Sequence, residues 1–254
     1  MNAPAPKSPP GPNRVNRRRD WLVVALLVLG IGFCLYLLRG NGVARPAAHY
    51  GLRLAAVALS LTAWFRSQSL IGSRETGDGA ISDGMHEVTA SLHGWLLSHP
   101  RGANAVLIVS SAFIDVFGLF LIGAGIFGPT LRPFVALLIL FILRQIGQAV
   151  TALPAPREMI WRYPGFPSLL VTYGTASDFF FSGHTAIAVL GAIEIARLFP
   201  WWAGMAAGVV AAIEALTVLA LRAHYSMDII AAVLAACCAA GLSAWICSPA
   251  IAAF

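Results

Sequence analysis

Apolar runs separated by short polar breaks dominate this chain. They occupy residues 21–38, 103–127, 133–151, 184–198, 201–221 and 227–246. An α-helix rises ~1.5 Å per residue, so about 20 residues cross the ~30 Å hydrocarbon core of a bilayer. The expected fold is therefore all-α: a polytopic membrane helix bundle of about six transmembrane helices. Residues 51–72 are ambiguous. Their longest apolar stretch, residues 54–65, has 12 residues, about 18 Å of helix at ~1.5 Å per residue. This segment reads as a re-entrant or interfacial helix, or as a tilted span that snorkels Arg53 and Arg66. In the last case the count rises to seven. Residues 88–97 read as an interfacial helix anchored by Trp95, and residues 73–83 as a loop. A long loop at 152–181 carries Pro154, Pro156, Pro164 and Pro167. Gly204 and Gly208 form a GxxxG pattern that lets a neighbouring helix approach closely.

Composition agrees with a lipid solvent. Of 254 residues, 58% are hydrophobic and 11% charged, with mean hydropathy +0.77; a soluble domain carries roughly 25% charged residues. Three regions are expected: a disordered basic leader (1–20), an N-terminal anchor with interfacial helices (21–100), and a catalytic membrane domain (101–250). The net charge of +6 is uneven, because Arg14, Arg17, Arg18 and Arg19 cluster beside Lys7 in the leader. Basic residues flanking an apolar helix fix its orientation, so this cluster implies a cytoplasmic N-terminus rather than a nucleic-acid partner. If residues 51–72 do not cross, the site described below faces the periplasm, and the setting is a bacterial inner membrane. If they cross, it faces the cytoplasm. Cys34, Cys237, Cys238 and Cys247 lack zinc-ligand spacing and read as small packing residues. His86, His93 and His99 are spaced by seven and six and do not stack on one helical turn, so no metal cluster is expected.

The candidate chemistry lies at helix ends. One helix descends from His184 and the next returns before His224, so both imidazoles reach the same surface whatever residues 51–72 do. Asp228 follows His224 by four, a spacing that stacks the two side chains on one helical face. A carboxylate against one ring nitrogen fixes the tautomer and leaves the other nitrogen as a nucleophile. Ser182 and Gly183, at a helix start, are candidates to offer backbone N–H groups to an anion. Arg144 and Arg222 suit phosphate through the bidentate guanidinium fork. Together these parts point to phosphoryl transfer: His224 attacks phosphorus, Asp228 orients it, His184 protonates the departing oxygen, and Arg144 and Arg222 stabilise charge. Arg157 and Arg162 are further headgroup candidates. Asp115, Glu194 and Glu214 fall inside apolar runs, where an ionisable group is costly and functional by default. They are expected to line a polar cavity beneath the site with Arg144 as a partner.

Two segments carry a resemblance. Asp178-Phe-Phe-Phe-Ser182-Gly183-His184-Thr185 and Arg222-Ala-His224-Tyr225-Ser226-Met227-Asp228 resemble the signature motifs of the type 2 phosphatidic acid phosphatase superfamily. The match is closest to its sphingomyelin-synthase-like branch. In a third motif of that branch an arginine precedes Leu-Pro-x-Pro by nine residues, as Arg144 precedes Leu153-Pro154-Ala155-Pro156 here. Plant phosphatidylcholine:diacylglycerol cholinephosphotransferases are similar over the same motifs, and the likeness covers roughly residues 104–247. It implies a phosphohistidine at His224 supported by Asp228, His184 as acid and then base, Asp178 at an acidic position of the family, and no metal or cofactor. The chain has no lysine after Lys7, whereas the ordinary phosphatases place one before Ser-Gly-His. That departure favours a transferase moving phosphocholine or phosphoethanolamine from a glycerophospholipid to a lipid alcohol such as diacylglycerol or ceramide. A lipid phosphatase is the alternative, and a non-catalytic scaffold or transporter the third reading. The implied partners are lipid substrates and the bilayer; the oligomeric state is left open.

Overall fold

A computed structural model describes residues 25–31, 46–71, 81–171, 173 and 179–248. The basic leader, most of the anchor at 21–38, Cys34 and Asp178 lie outside the described residues. Among the described residues every regular element is an α-helix. They are α1 (described over 25–31), α2 (Pro46–Ile71), α3 (Gly84–Val88), α4 (Ala90–Ser98), α5 (Pro100–Phe127), α6 (Arg132–Val150), α7 (Gly183–Leu198), α8 (Trp201–Ala220) and α9 (Ser226–Ile246). Four of them, α5, α6, α8 and α9, are long and apolar enough to cross a membrane, at 28, 19, 20 and 21 residues. α7 has 16 residues, about 24 Å at ~1.5 Å per residue, and falls short by length.

Helix α7 is the hub, packed against α5, α6, α8 and α9. Small residues make this possible. A Cβ on Gly204 would come within 2.5 Å of the Ala196 Cβ, whereas one on Gly208 would meet nothing within 4 Å. Only the first glycine of the GxxxG pattern is therefore used for close approach. The outer faces of the long helices stay apolar: Val109 and Val116 on α5, Val209 and Ile213 on α8, and Leu234 and Leu242 on α9 are all exposed. Cys237 and Cys238 are also exposed on α9, so they do not pack in the core. Apolar side chains turned outward from a small-residue interior suit a lipid environment, where burial of oily side chains gives no drive for helices to associate.

The ambiguous segment is one continuous helix of 26 residues. Near its start, Arg53 Nη1 donates to the carbonyls of Ile126 (3.0 Å), Gly128 (3.2 Å) and Gly125 (3.4 Å). Those oxygens end α5 and have no intrahelical donor. Arg53 is therefore buried and caps a helix instead of snorkelling. Eleven residues later, Trp64 stacks on Phe141 of α6 with ring centroids 4.8 Å apart. Helix α2 thus runs from the far end of the bundle towards the end where α6 finishes and α7 begins.

The three intramembrane acids do not share a cavity with Arg144. Glu194 is fully buried and pairs with Arg132 (2.9 Å) and Arg197 (2.7 Å). Because α7 is short, Glu194 is only four residues from its end and beside the first residue of α6. Glu214 accepts from Ser110 Oγ at 2.5 Å. Asp115 accepts from Leu169 N–H (2.8 Å), Leu170 N–H (2.9 Å) and the Ser168 hydroxyl (3.0 and 3.1 Å). The long loop therefore dips into the bundle to the middle of α5. Irregular backbone is tolerated at that depth where protein groups satisfy it.

Candidate active site

The end of the bundle where α5 begins, α6 ends, α7 begins, α8 ends and α9 begins collects the sequence-predicted residues. Ser182 is the N-cap of α7: its Oγ accepts from Thr185 N–H at 3.3 Å, while its own N–H donates to the Asp228 carbonyl at 3.3 Å. That N–H joins the two motifs to each other and is not free for an anion. Gly183 faces Arg144. A Cβ there would sit 3.0 Å from Arg144 Nε, so the absent side chain is what lets the guanidinium lie against the helix start. Arg144 is buried. Arg144, Gly183, His184 and His224 line one cavity of about 60 Å³, walled by Trp64, Phe141, Trp161 and Phe179.

His224 is held from one side. Its Nδ1 lies 2.9 Å from the Phe179 carbonyl and 3.6 Å from Asp228 Oδ2. A carbonyl only accepts, so Nδ1 carries the proton and Nε2 keeps the lone pair. The carboxylate does not make the direct bond that four-residue helical stacking implies. The reason is local. His224 precedes the N-cap Tyr225, so the pair does not share a helix, and Asp228 instead turns back to accept the Tyr225 N–H at 2.9 Å, as an acid at the third helical position does. Asp228 Oδ1 is buried with no partner, and so is His184 Nε2. The His184 ring meets Trp161 edge-on at 5.1 Å. An imidazole with one nitrogen fixed, a second imidazole and a guanidinium around one small cavity can perform nucleophilic attack, proton transfer and anion stabilisation.

Arg222 is not brought to this cavity. Its backbone is left-handed (φ 52°), and its Nη1 pairs with Glu158 at 3.1 Å, itself at φ 57°. With Arg157 it lines a second cavity of about 540 Å³ beside Asp83, His86 and Glu87. Arg162 ties the long loop to α5 through Asn104 Oδ1 at 2.9 Å.

Several positioning groups carry no signature in the catalytic motifs. Asp83 Oδ2 accepts from Ser226 N–H at 2.5 Å, and its Oδ1 from Met85 N–H at 2.9 Å. Partial burial alone would raise this carboxyl, but the bonds from Ser226 and Met85 outweigh it and hold it below its usual value. His86 Nε2 donates to the His224 carbonyl and His93 Nδ1 to the Ala220 carbonyl, each at 2.9 Å. Tyr225 donates its phenol to the Pro154 carbonyl at 3.1 Å, and burial pushes that phenol above its ordinary value, so it stays a donor. The Leu-Pro-x-Pro loop, α3 and α4 thus all grip the segment that presents His224. A spacing of seven, two helical turns, is the signal that His86 and His93 face one side. The Phe179 carbonyl has no sequence signal, because any residue supplies one.

The fold and site define a helical membrane protein with a buried histidine–histidine–arginine cavity. The chain belongs to the AtPDCT1/2 family, whose model matches residues 82–245. Phosphatidylcholine:diacylglycerol cholinephosphotransferase 1 of Arabidopsis thaliana is 25% identical over 143 residues, covering 56% of this chain and 46% of the relative. The chain therefore spans about half the length of the curated relative it matches. No solved structure matches. The likeness is thus to a family and a relative named for lipid headgroup phosphotransfer.

Proposed function

We propose that this protein moves a phospho-headgroup, phosphocholine or phosphoethanolamine, from a glycerophospholipid to a lipid alcohol such as diacylglycerol or ceramide, through a phosphohistidine on His224. The observation that carries this reading is the His224 ring, held at Nδ1 by the Phe179 carbonyl in a cavity shared with His184 and Arg144. His224 Nε2 attacks phosphorus, an N–P bond forms, and the P–O bond to the glycerol oxygen breaks. His184 gives that oxygen its proton. The acceptor hydroxyl then passes its proton to His184 and attacks phosphorus, and the N–P bond breaks. Arg144 holds the phosphoryl oxygens through both steps, and Asp228 supports the charged imidazole at 3.6 Å. No step in this scheme requires a metal. Asp178 is carried in the proposal only by its motif position. Arg222 acts on the headgroup from the second cavity, or not at all.

The motifs support placement in the type 2 phosphatidic acid phosphatase superfamily, near its sphingomyelin-synthase-like branch. The activity for which the Arabidopsis relative is named supports transfer over hydrolysis. The course of α2, from the α5 C-terminus to the site end, favours the seven-span alternative over six. With residues 21–38 also crossing and the basic leader inside, the site then faces the cytoplasm of a bacterial inner membrane, not the periplasm.

The test uses purified protein in vesicles holding a headgroup-labelled phospholipid and either diacylglycerol or ceramide. Label should appear in a new lipid, and His224→Ala should abolish its appearance. Label released to water identifies a phosphatase or hydrolase; full transfer by the His224 variant overturns the mechanism.

A further inference from the structure

Trp64 belongs to α2, outside the family-matched residues, yet it lines the same cavity as Arg144 and His184. It is 8% exposed, and its indole N–H is buried without a hydrogen-bond partner. Leaving a buried donor unpaired is costly, and an indole N–H can only donate. The other polar groups that line the cavity, Arg144, Trp161, His184 and His224, do not relieve it: guanidinium and indole offer no acceptor, and neither imidazole bonds the Trp64 N–H. A bound molecule supplying an acceptor oxygen resolves this.

Depth decides which oxygen. Trp64 stacks flat on Phe141, with an interplanar angle of 10°. Phe141 precedes Arg144 by three residues on α6, so it lies about 4.5 Å deeper at ~1.5 Å per residue. Phosphorus belongs at the level of Arg144 and His224. The next acceptors down a glycerolipid are its acyl-ester carbonyls, and the rest of the cavity wall around Trp64 includes the apolar Ile114, Leu170 and Ile187.

We propose that the Trp64 indole N–H donates a hydrogen bond to an acyl-ester carbonyl of the bound glycerolipid, making the site select ester-linked over ether-linked lipids. The proposal rests on the phosphotransfer reading for the identity of the substrate, but its contact is readable without turnover. Trp64→Phe keeps the aromatic stack and removes only the donor.

Wild type and Trp64→Phe are compared with diacyl and dialkyl phosphatidylcholine, once as headgroup donors in vesicles and once as short-chain lipids raising Tm in detergent. Wild type should favour the diacyl form about three- to tenfold in kcat/KM, with kcat nearly unchanged, and should gain more Tm from it. In Trp64→Phe both preferences should vanish, through loss on the diacyl lipid alone. A wild type with no diacyl preference overturns the proposal, and so does a variant weakened equally for both lipids or one that retains the preference. If neither lipid is turned over by wild type, the phosphotransfer reading fails while the Tm comparison still decides the contact.

Discussion

At the scale of single residues, the site is organised as much by what is missing as by what is present. Gly183 opens α7, and the Arg144 guanidinium lies tightly against the position its Cβ would take. Two effects compete in Gly183→Ala. Alanine in place of a helical glycine gains up to ~1 kcal/mol, whereas the new methyl must push Arg144 Nε from 3.0 Å by a few tenths of an ångström. The fold should therefore hold or gain slightly in Tm, while the proposed headgroup transfer falls about tenfold or more, since misplacing a catalytic group by even 1 Å can cost 10²-fold. An unchanged rate would mean that Arg144 does not act from where it sits. His184, Arg144 and His224 were legible as a set from motif spacing and helix counting. The direct partner of His224 was not, because the bond goes to the backbone of Phe179 and the helix that would have brought Asp228 into contact starts only at Ser226, after His224.

At the scale of elements, the long loop and the two short helices matter more than their irregularity in sequence implies. Residues 168–170 are held at mid-bundle by the Asp115 carboxylate, and Leu170 packs on Gly118 beside the cavity. Asp115→Ala deletes the acceptor of two backbone N–H groups and a hydroxyl. It should cost about 2–3 kcal/mol, partly offset by removing a charge from the membrane interior. The expected result is a lowered Tm, faster protease nicking at residues 152–171, and a raised KM for lipid. Nicking at the wild-type rate would count against the loop being anchored there. Asp115 was legible as an unusual residue, but its partner was not: the loop's contribution is backbone, and the fold alone brings it 53 to 55 residues across the chain. Helices α3 and α4 grip the segment around His224 through Asp83, His86 and His93. The interfacial reading of that stretch found the helix but not the grip.

At the scale of the whole molecule, the direction of α2 decides which way the site faces. Arg53 lies against the end of α5, and Trp64 lies at the site, so the C-terminal end of α9 is on the side opposite the site. If residues 21–38 and α2 both cross, an alkaline phosphatase fused after Ser248 should be active and a fluorescent protein fused there dark, with the N-terminus inside. The reverse pair of signals would restore the six-span arrangement with a periplasmic site. The far end also holds the Arg132–Glu194–Arg197 cluster, in which two partly exposed arginines neutralise the buried Glu194 carboxylate, and which sequence position alone placed too deep.

The sequence by itself determined the solvent, the helical class and the residues of the proposed chemistry. Each of these is written in local composition or short spacing: apolar runs against a bilayer thickness, two motifs at helix starts, an arginine nine residues before a proline loop. Tertiary structure decided which groups are partners. It replaced a shared acidic cavity with three separate attachments, moved Arg222 to a neighbouring cavity, and added Trp64, Asp83 and His86 to the surroundings of His224. Partnership over such separations depends on how helices pack and where backbone carbonyls end up, and neither leaves a mark in the identity of any one residue.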